Sequence, residues 1–157
     1  MDCKINMYLE TRIRGIRKTV GWYGYILEWI DHNGEPHTVD GYKYEVGVTP
    51  NMLILLAVIA ALERINRDSE ITIYTDSLYF RESYERFLQS WKKNGWRTTK
   101  GEQIKNLNLW KQISARTVRH VVRFEPQYHH RYKNQMVMEI EKRKAAEPKQ
   151  MNMKGMV

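Results

Sequence analysis

Residues 71–113 read ITIYTDSLYFRESYERFLQSWKKNGWRTTKGEQIKNLNLWKQI, and the fold follows from how this stretch is punctuated. Ile71–Thr75 is short, β-branched and aromatic, which predicts a strand. Asp76 and Ser77 stand where that strand hands over to a helix, a place both residue types favour. Phe80, Tyr84, Phe87 and Leu88 keep one apolar stripe at helical spacing. The segment Ser90–Asn106 is basic and bears tryptophans, and a short helix is predicted around Leu107–Arg116.

Upstream lies the longest unbroken apolar run, the eleven residues from Met52 to Leu62. A bilayer span needs ~20 such residues, so this run predicts a buried helix and not a membrane anchor. Thr49-Pro50 starts it, with Thr as N-cap and Pro at the first helical position, and it is expected to reach about Arg67. Before it, Lys4–Leu9, Gly21–Ile30 and His37–Val46 read as strands of a meander, with the turn Asp31-His32-Asn33-Gly34 between the last two. After the quoted stretch come a fifth strand, Val118–Glu125, and a charged helix, Asn134–Ala146. The fold class is α/β: a five-stranded mixed sheet, three antiparallel strands then two parallel, flanked by helices. One domain is expected over residues 1–146, with a flexible tail over 147–157.

The composition of the 157 residues bounds the partners. Hydrophobic residues make up 42%, enough for a core, which excludes disorder throughout. Cys3 is the only cysteine, so no intrachain disulfide forms and a zinc site would depend on histidines. The start Met-Asp-Cys-Lys lacks a secretory layout, so a cytoplasmic protein is expected. Twenty-six Lys and Arg against 18 Asp and Glu give a net charge of +8, which favours polyanions such as nucleic acid.

Three motifs carry a resemblance: Thr75-Asp76-Ser77 at a strand end, Trp91-Lys92-Lys93-Asn94-Gly95-Trp96-Arg97-Thr98, and Lys105-Asn106-Leu107-Asn108-Leu109-Trp110. In this order and spacing the chain resembles ribonuclease H of the bacterial type 1 family over residues 4–146. The resemblance implies the RNase H-like fold and metal-assisted phosphodiester hydrolysis. There, four carboxylates hold two Mg²⁺ ions, because hard cations need anionic oxygen ligands. The first carboxylate position is Glu10, one methylene longer than the family's Asp. The second, reached without a gap from Ala61-Leu62-Glu63, is Ile54. The third is Asp76. The fourth, in the apolar phase of Met138-Glu139-Ile140, is Met138, and a one-residue slip would offer Glu139 instead. The family's catalytic-loop His falls at Tyr128, with His129 and His130 adjacent. In place of a glycine-rich loop the chain has Arg12-Ile13-Arg14-Gly15-Ile16-Arg17-Lys18, whose four cations repel Mg²⁺ and suit a phosphate.

The resemblance also implies binding residues. The phosphate pocket maps to Thr49 and Asn106, and the basic protrusion to Trp91, Trp96 and Trp110, with charge from Lys92, Lys93, Arg97 and Lys100. Trp91 and Trp110 read rather as packing residues, and Trp96, flanked by Gly95 and Arg97, as the contact; Thr49 also reads as an N-cap, Asn106 as a cap of the short helix, and the lysines as a solvated face.

The main reading is a catalytically impaired or inactive ribonuclease H-like protein that binds RNA–DNA hybrid or duplex through its backbone. No cofactor is expected, except Mg²⁺ or Mn²⁺ if Glu10 and Asp76, with Glu139 or Glu63, keep weak hydrolysis, which is the runner-up. A third reading is a scaffold that docks on a protein or ribonucleoprotein through the Arg12–Lys18 loop or the tail methionines Met151, Met153 and Met156.

Overall fold

Strand β1 (Lys4–Arg14) is the middle of the molecule, because its alternating residues serve two different faces. The computed structural model describes residues 3–14, 20–125 and 130–155, with side chains to residue 146. On one side of β1, Ile5, Met7 and Leu9 enter the main core; on the other, Tyr8 joins Ile26 and Met136 in a smaller one. β2 (Val20–Ile30) and β3 (Pro36–Val46) continue the sheet antiparallel, while β4 (Glu70–Tyr74) and β5 (Val121–Glu125) add to it in parallel. The order is β3-β2-β1-β4-β5, the mixed five-stranded sheet expected from the sequence.

Helix α1 (Pro50–Glu63) packs on the main-core face, and eight of its fourteen residues are buried, Leu53, Ile54, Leu55 and Val58 among them. A helix apolar nearly all round is stable only when enclosed, here by the sheet and by α4 (Leu107–Thr117). Thr49 caps it, its hydroxyl accepting from the Met52 amide at 3.1 Å. The helix stops at Glu63 and not near Arg67, because the Arg64 and Ile65 amides tighten onto the carbonyls of Ala61 and Leu62. The segment after β4 is helical in three parts: α2 (Leu78–Glu82), a π-helical turn (Ser83–Phe87) and α3 (Leu88–Lys93). Helix α5 (Lys133–Gly155) crosses the other face of the sheet over β1 and β2, burying Met136 and Ile140 one turn apart. It continues beyond Ala146, where the sequence reading closed it.

β1 also runs past Leu9. Arg12 pairs with Trp22 and Arg14 with Val20 in the ladder with β2, so these two cations sit on a strand and not in the expected loop. Arg17 and Lys18 lie outside the described residues. Among the described residues, no helix is long and apolar enough to cross a membrane.

Candidate functional site

Glu10 points from β1 to the α5 side, and its carboxylate is buried at 5% exposure. A buried carboxylate needs a counter-charge, since desolvation alone costs several kcal/mol. Lys133, the first residue of α5, supplies it: its Nζ donates to Glu10 Oε2 at 2.7 Å. Arg12 stands behind, with Nη2 3.7 Å from Oε1. Gly24 lies opposite Glu10 on β2, and a Cβ there would come within 2.6 Å of the Tyr42 ring, so the glycine lets Tyr42 lie over this part of the sheet. Tyr42 in turn receives the Arg143 guanidinium of α5 over its face at 4.9 Å.

Of the other expected carboxylate positions, two carry no carboxylate. Ile54 is 4% exposed in the main core, with an aliphatic side chain that offers no oxygen. Met138 is 71% exposed, because the face of α5 that buries Met136 and Ile140 turns residue 138 outward. Asp76 is exposed just beyond β4. Glu139 pairs with Arg143 at 2.9 Å, and Glu63 with Arg116 at 3.2 Å on the far side of the sheet. Tyr128 and His129 lie outside the described residues. Among the described residues no three His, Cys, Asp and Glu side chains group so as to hold a metal ion. Glu10 already carries an ammonium and a guanidinium, so this donor set does not fit the paired Mg²⁺ ions that the family resemblance implies.

His130 is buried beside this centre, its ring 4.8 Å from Tyr8 and 6.3 Å from Tyr74. Burial and the neighbouring Lys133 push it down from 6.5 to about 4, against the pull of Asp76. It is therefore neutral at pH 7. Its Nδ1 accepts from the Tyr132 amide at 3.2 Å, which leaves the ring proton on Nε2. That buried nitrogen has no hydrogen-bond partner among the described residues.

A second buried carboxylate, Glu28, lies on the same face, opposite Asn6 of β1. Asn6 donates to it at 3.0 Å, and the hydroxyls of Tyr8 and Tyr132 and the Arg131 guanidinium complete its surroundings. Burial alone would raise this carboxyl, but the hydrogen bonds from Tyr132 and Asn6, and Arg131, hold it below the usual range. Burial and Glu28 together raise the Tyr8 hydroxyl well above its ordinary value. The consecutive residues Arg131, Tyr132 and Lys133 thus clamp the start of α5 onto two buried glutamates. Sequence reasoning missed Lys133, Glu28 and Tyr132. The signal for Lys133 was a cation, with no acid, in the first turn of a helix, where the macrodipole disfavours it unless a carboxylate is near.

Of the expected binding residues, Arg12 and Arg14 lie on β1, apart from the pocket and protrusion residues, which gather around α1, α3 and α4. Thr49 and Asn106 begin α1 and α4, which pack together, and Asn106 and Met52 line one cleft of 440 Å³. The Asn106 side chain donates to the Tyr79 hydroxyl at 3.3 Å, and Trp110 Nε1 donates to the same oxygen at 2.9 Å. Trp110 is fully buried, and Trp91 stands edge-on to it and stacks on Phe87. Trp96 is half-buried at the tip, in a left-handed conformation with φ of 63° directly after Gly95. A bulky residue there is an outlier, and strain of this kind gathers at functional sites. Its amide donates to the Trp91 carbonyl at 2.7 Å, and Lys111 stands 5.8 Å from its ring. Lys92, Lys93, Arg97 and Lys100 are all exposed around it. Arg97 also donates to the Gly101 carbonyl at 3.1 Å.

The family model for RNase H matches residues 14–145 of the chain. The chain belongs to the ribonuclease H family. The ribonuclease H of Lachnoclostridium phytofermentans is 36% identical over 125 residues, 77% of each chain. That of Paracoccus denitrificans is 44% identical over 81 residues, 52% of each. Among solved structures, the LC9 type 1 ribonuclease H with the type 2 active-site motif superposes with a TM-score of 0.71 at 22% identity, over 85% of this chain and 67% of that one. The foamy viral protease–reverse transcriptase solved with an RNA/DNA hybrid gives 0.72 at 20% identity, over 86% of this chain and 19% of that one. These last two establish the ribonuclease H fold. The matched family segment begins four residues after Glu10, so the strand that carries the first carboxylate position lies largely outside it.

Proposed function

We propose that this ribonuclease H-family protein binds nucleic acid, with an RNA–DNA hybrid or a duplex as ligand, and that its hydrolytic centre is impaired. The observation that carries the reading is the Lys133 ammonium 2.7 Å from Glu10, with Arg12 behind it. A buried ammonium on the first carboxylate repels a divalent cation. Ile54 and the outward Met138 supply no oxygen ligand to hold one in spite of it.

Binding rests on other residues. The exposed cations Lys92, Lys93, Arg97 and Lys100 surround a strained Trp96, and the α1–α4 cleft places Asn106 beside the start of α1. Clustered cations and a few donors suffice for phosphate-backbone contacts. A structural neighbour, the foamy viral enzyme, was solved with such a hybrid, which supports the ligand class. The test is a titration of a labelled RNA–DNA hybrid run beside a cleavage assay in Mg²⁺ and in Mn²⁺. Binding without cleavage is expected. Metal-dependent cleavage would overturn the impairment, and absence of binding at low salt would overturn the nucleic-acid reading and leave a scaffold.

A further inference from the structure

Helix α1 is too short for the sheet it covers. Its fourteen residues span about 21 Å, while the eleven-residue strands beneath span about 36 Å. Where the helix ends, the turn after Glu63 roofs the far part of the sheet, and a cleft of 360 Å³ opens between them. Its volume is at the lower end of the range for small-molecule sites. Its floor is aliphatic, from Ile5, Leu27 and Val39. Trp29 forms one wall, an indole 38% exposed. That ring is held in place by stacking on His37 at 5.5 Å, and His37 is itself fixed by Asp31 at 2.8 Å. Arg64 and Arg67 form the opposite rim. The Tyr25 hydroxyl accepts from Arg64 Nη1 at 2.9 Å, which anchors the guanidinium and leaves its other donors available. No carboxylate lines the cleft among the described residues.

We propose that this cleft binds a nucleoside monophosphate unit, with the base over the aliphatic floor against Trp29 and the phosphate on Arg64 and Arg67. A flat apolar body joined to a dianion is the chemistry the lining asks for. Base–aromatic stacking is tolerant of sequence, and guanidinium forks match phosphate oxygens. A free mononucleotide and the 5′-phosphorylated end of a single strand share this chemistry. The cleft lies on the opposite face of the sheet from Glu10, about 16 Å along β1 from it, so the inference does not depend on how the Glu10 centre works.

Cys3 lines the same cleft and is the chain's only cysteine, which gives a probe specific to the site. Adenosine monophosphate and a short 5′-phosphorylated oligodeoxyadenylate are titrated by calorimetry and tested for slowing of Cys3 alkylation. Adenosine and inorganic phosphate serve as controls. At least one of the two nucleotide ligands is expected to bind and protect Cys3. Adenosine and phosphate alone should each bind at least about tenfold more weakly, because each loses one half of the site. Binding of the mononucleotide assigns the free ligand, and binding of the oligonucleotide alone assigns the strand end. Arg64→Gln with Arg67→Gln should raise the dissociation constant about tenfold or more while leaving hybrid binding at the protrusion unchanged. Arg67→Gln alone keeps the test available if the double variant unfolds. No binding by either nucleotide ligand below about 10 mM, phosphate binding as tightly as the nucleotide, or full affinity in the arginine variants would overturn the proposal.

Discussion

Replacing Lys133 with Met tests the Glu10 centre directly, because it removes the charge and keeps most of the volume. At an effective dielectric near 20, the ammonium at 2.7 Å gives about 6 kcal/mol of gross attraction to Glu10, and Arg12 at 3.7 Å gives about 4.5. Removing one partner of a buried pair costs about 3–5 kcal/mol. Here Arg12 remains, although at 40% exposure its charge is partly screened by water. The expected loss is therefore about 2–3 kcal/mol. The pair should also be coupled. Glu10→Gln alone strands Lys133 and Arg12, which are 22% and 40% exposed and can reach water, so it should cost about 1 kcal/mol. The double variant Glu10→Gln with Lys133→Met should be more stable than Lys133→Met, by about 1–2 kcal/mol, because no buried charge remains unpaired. Urea unfolding of the parent, both single variants and the double variant at pH 7.5 measures the cycle. A loss below about 0.5 kcal/mol in Lys133→Met, or single-variant losses that simply add, would refute the pairing and with it the ground for the impaired centre.

Two further perturbations probe the surroundings. His130 is held at about 4 against an ordinary 6.5, so the unfolded chain binds the extra proton first and stability should fall as pH drops from 6.5 towards 4, by about 1–2 kcal/mol once partial solvent screening is allowed for. His120 is lowered by burial in the same direction, so the measurement is the difference between the parent and His130→Gln; equal pH profiles would show that His130 does not sit in its buried, neutral state. At the protrusion, neutralising Lys92, Lys93 and Arg97 should weaken hybrid binding for all sequences alike and reduce the slope of log affinity against log salt by about two. Two, and not three, is expected because Arg97 is partly held by Gly101; an unchanged slope would remove the protrusion from the binding surface.

The order of the sheet was legible because its strands are rich in β-branched and aromatic residues and several are bounded by turn residues. The position of α1 was legible from an apolar run that has nowhere to go but the interior. The motifs around Asp76, Trp91 and Asn106 led to the family, and the family model and relatives bear that out. The length of β1 was not legible. Arg12 and Arg14 look like loop cations in one dimension and become strand residues only through the ladder with β2. Lys133 was hidden for a related reason. Its partner is 123 residues away, and no local pattern announces a contact that depends on where α5 starts and how it is rotated. Glu28 reads as a charge in an otherwise apolar strand, and its meaning appears only when Asn6, Tyr8 and Tyr132 surround it.

The Glu10 centre is a set of features that require one another. Glu10 is buried, which is tolerable only with a cation beside it. Lys133 opens a helix, where the positive end of the dipole opposes it, and it is tolerable there only with a carboxylate beside it. Each residue answers the other's problem, and a divalent ion placed between them would be repelled by the one and would have to compete for the other. The two remaining positions agree with this. Ile54 gives its side chain to the main core, and Met138 gives its own to solvent, so neither draws α1 or α5 towards Glu10 as a metal-bridging acid would. On the proposed reading, Ile54→Glu with Met138→Asp is therefore expected not to rebuild a metal centre, and a melting temperature of that variant that rises with Mg²⁺ or Mn²⁺ would refute this. The first would place an unpaired charge in the core, and the second would add a carboxylate to the solvent face of α5. Lys133 meanwhile keeps to Glu10, and Tyr132 and Arg131 hold the start of α5 to Glu28.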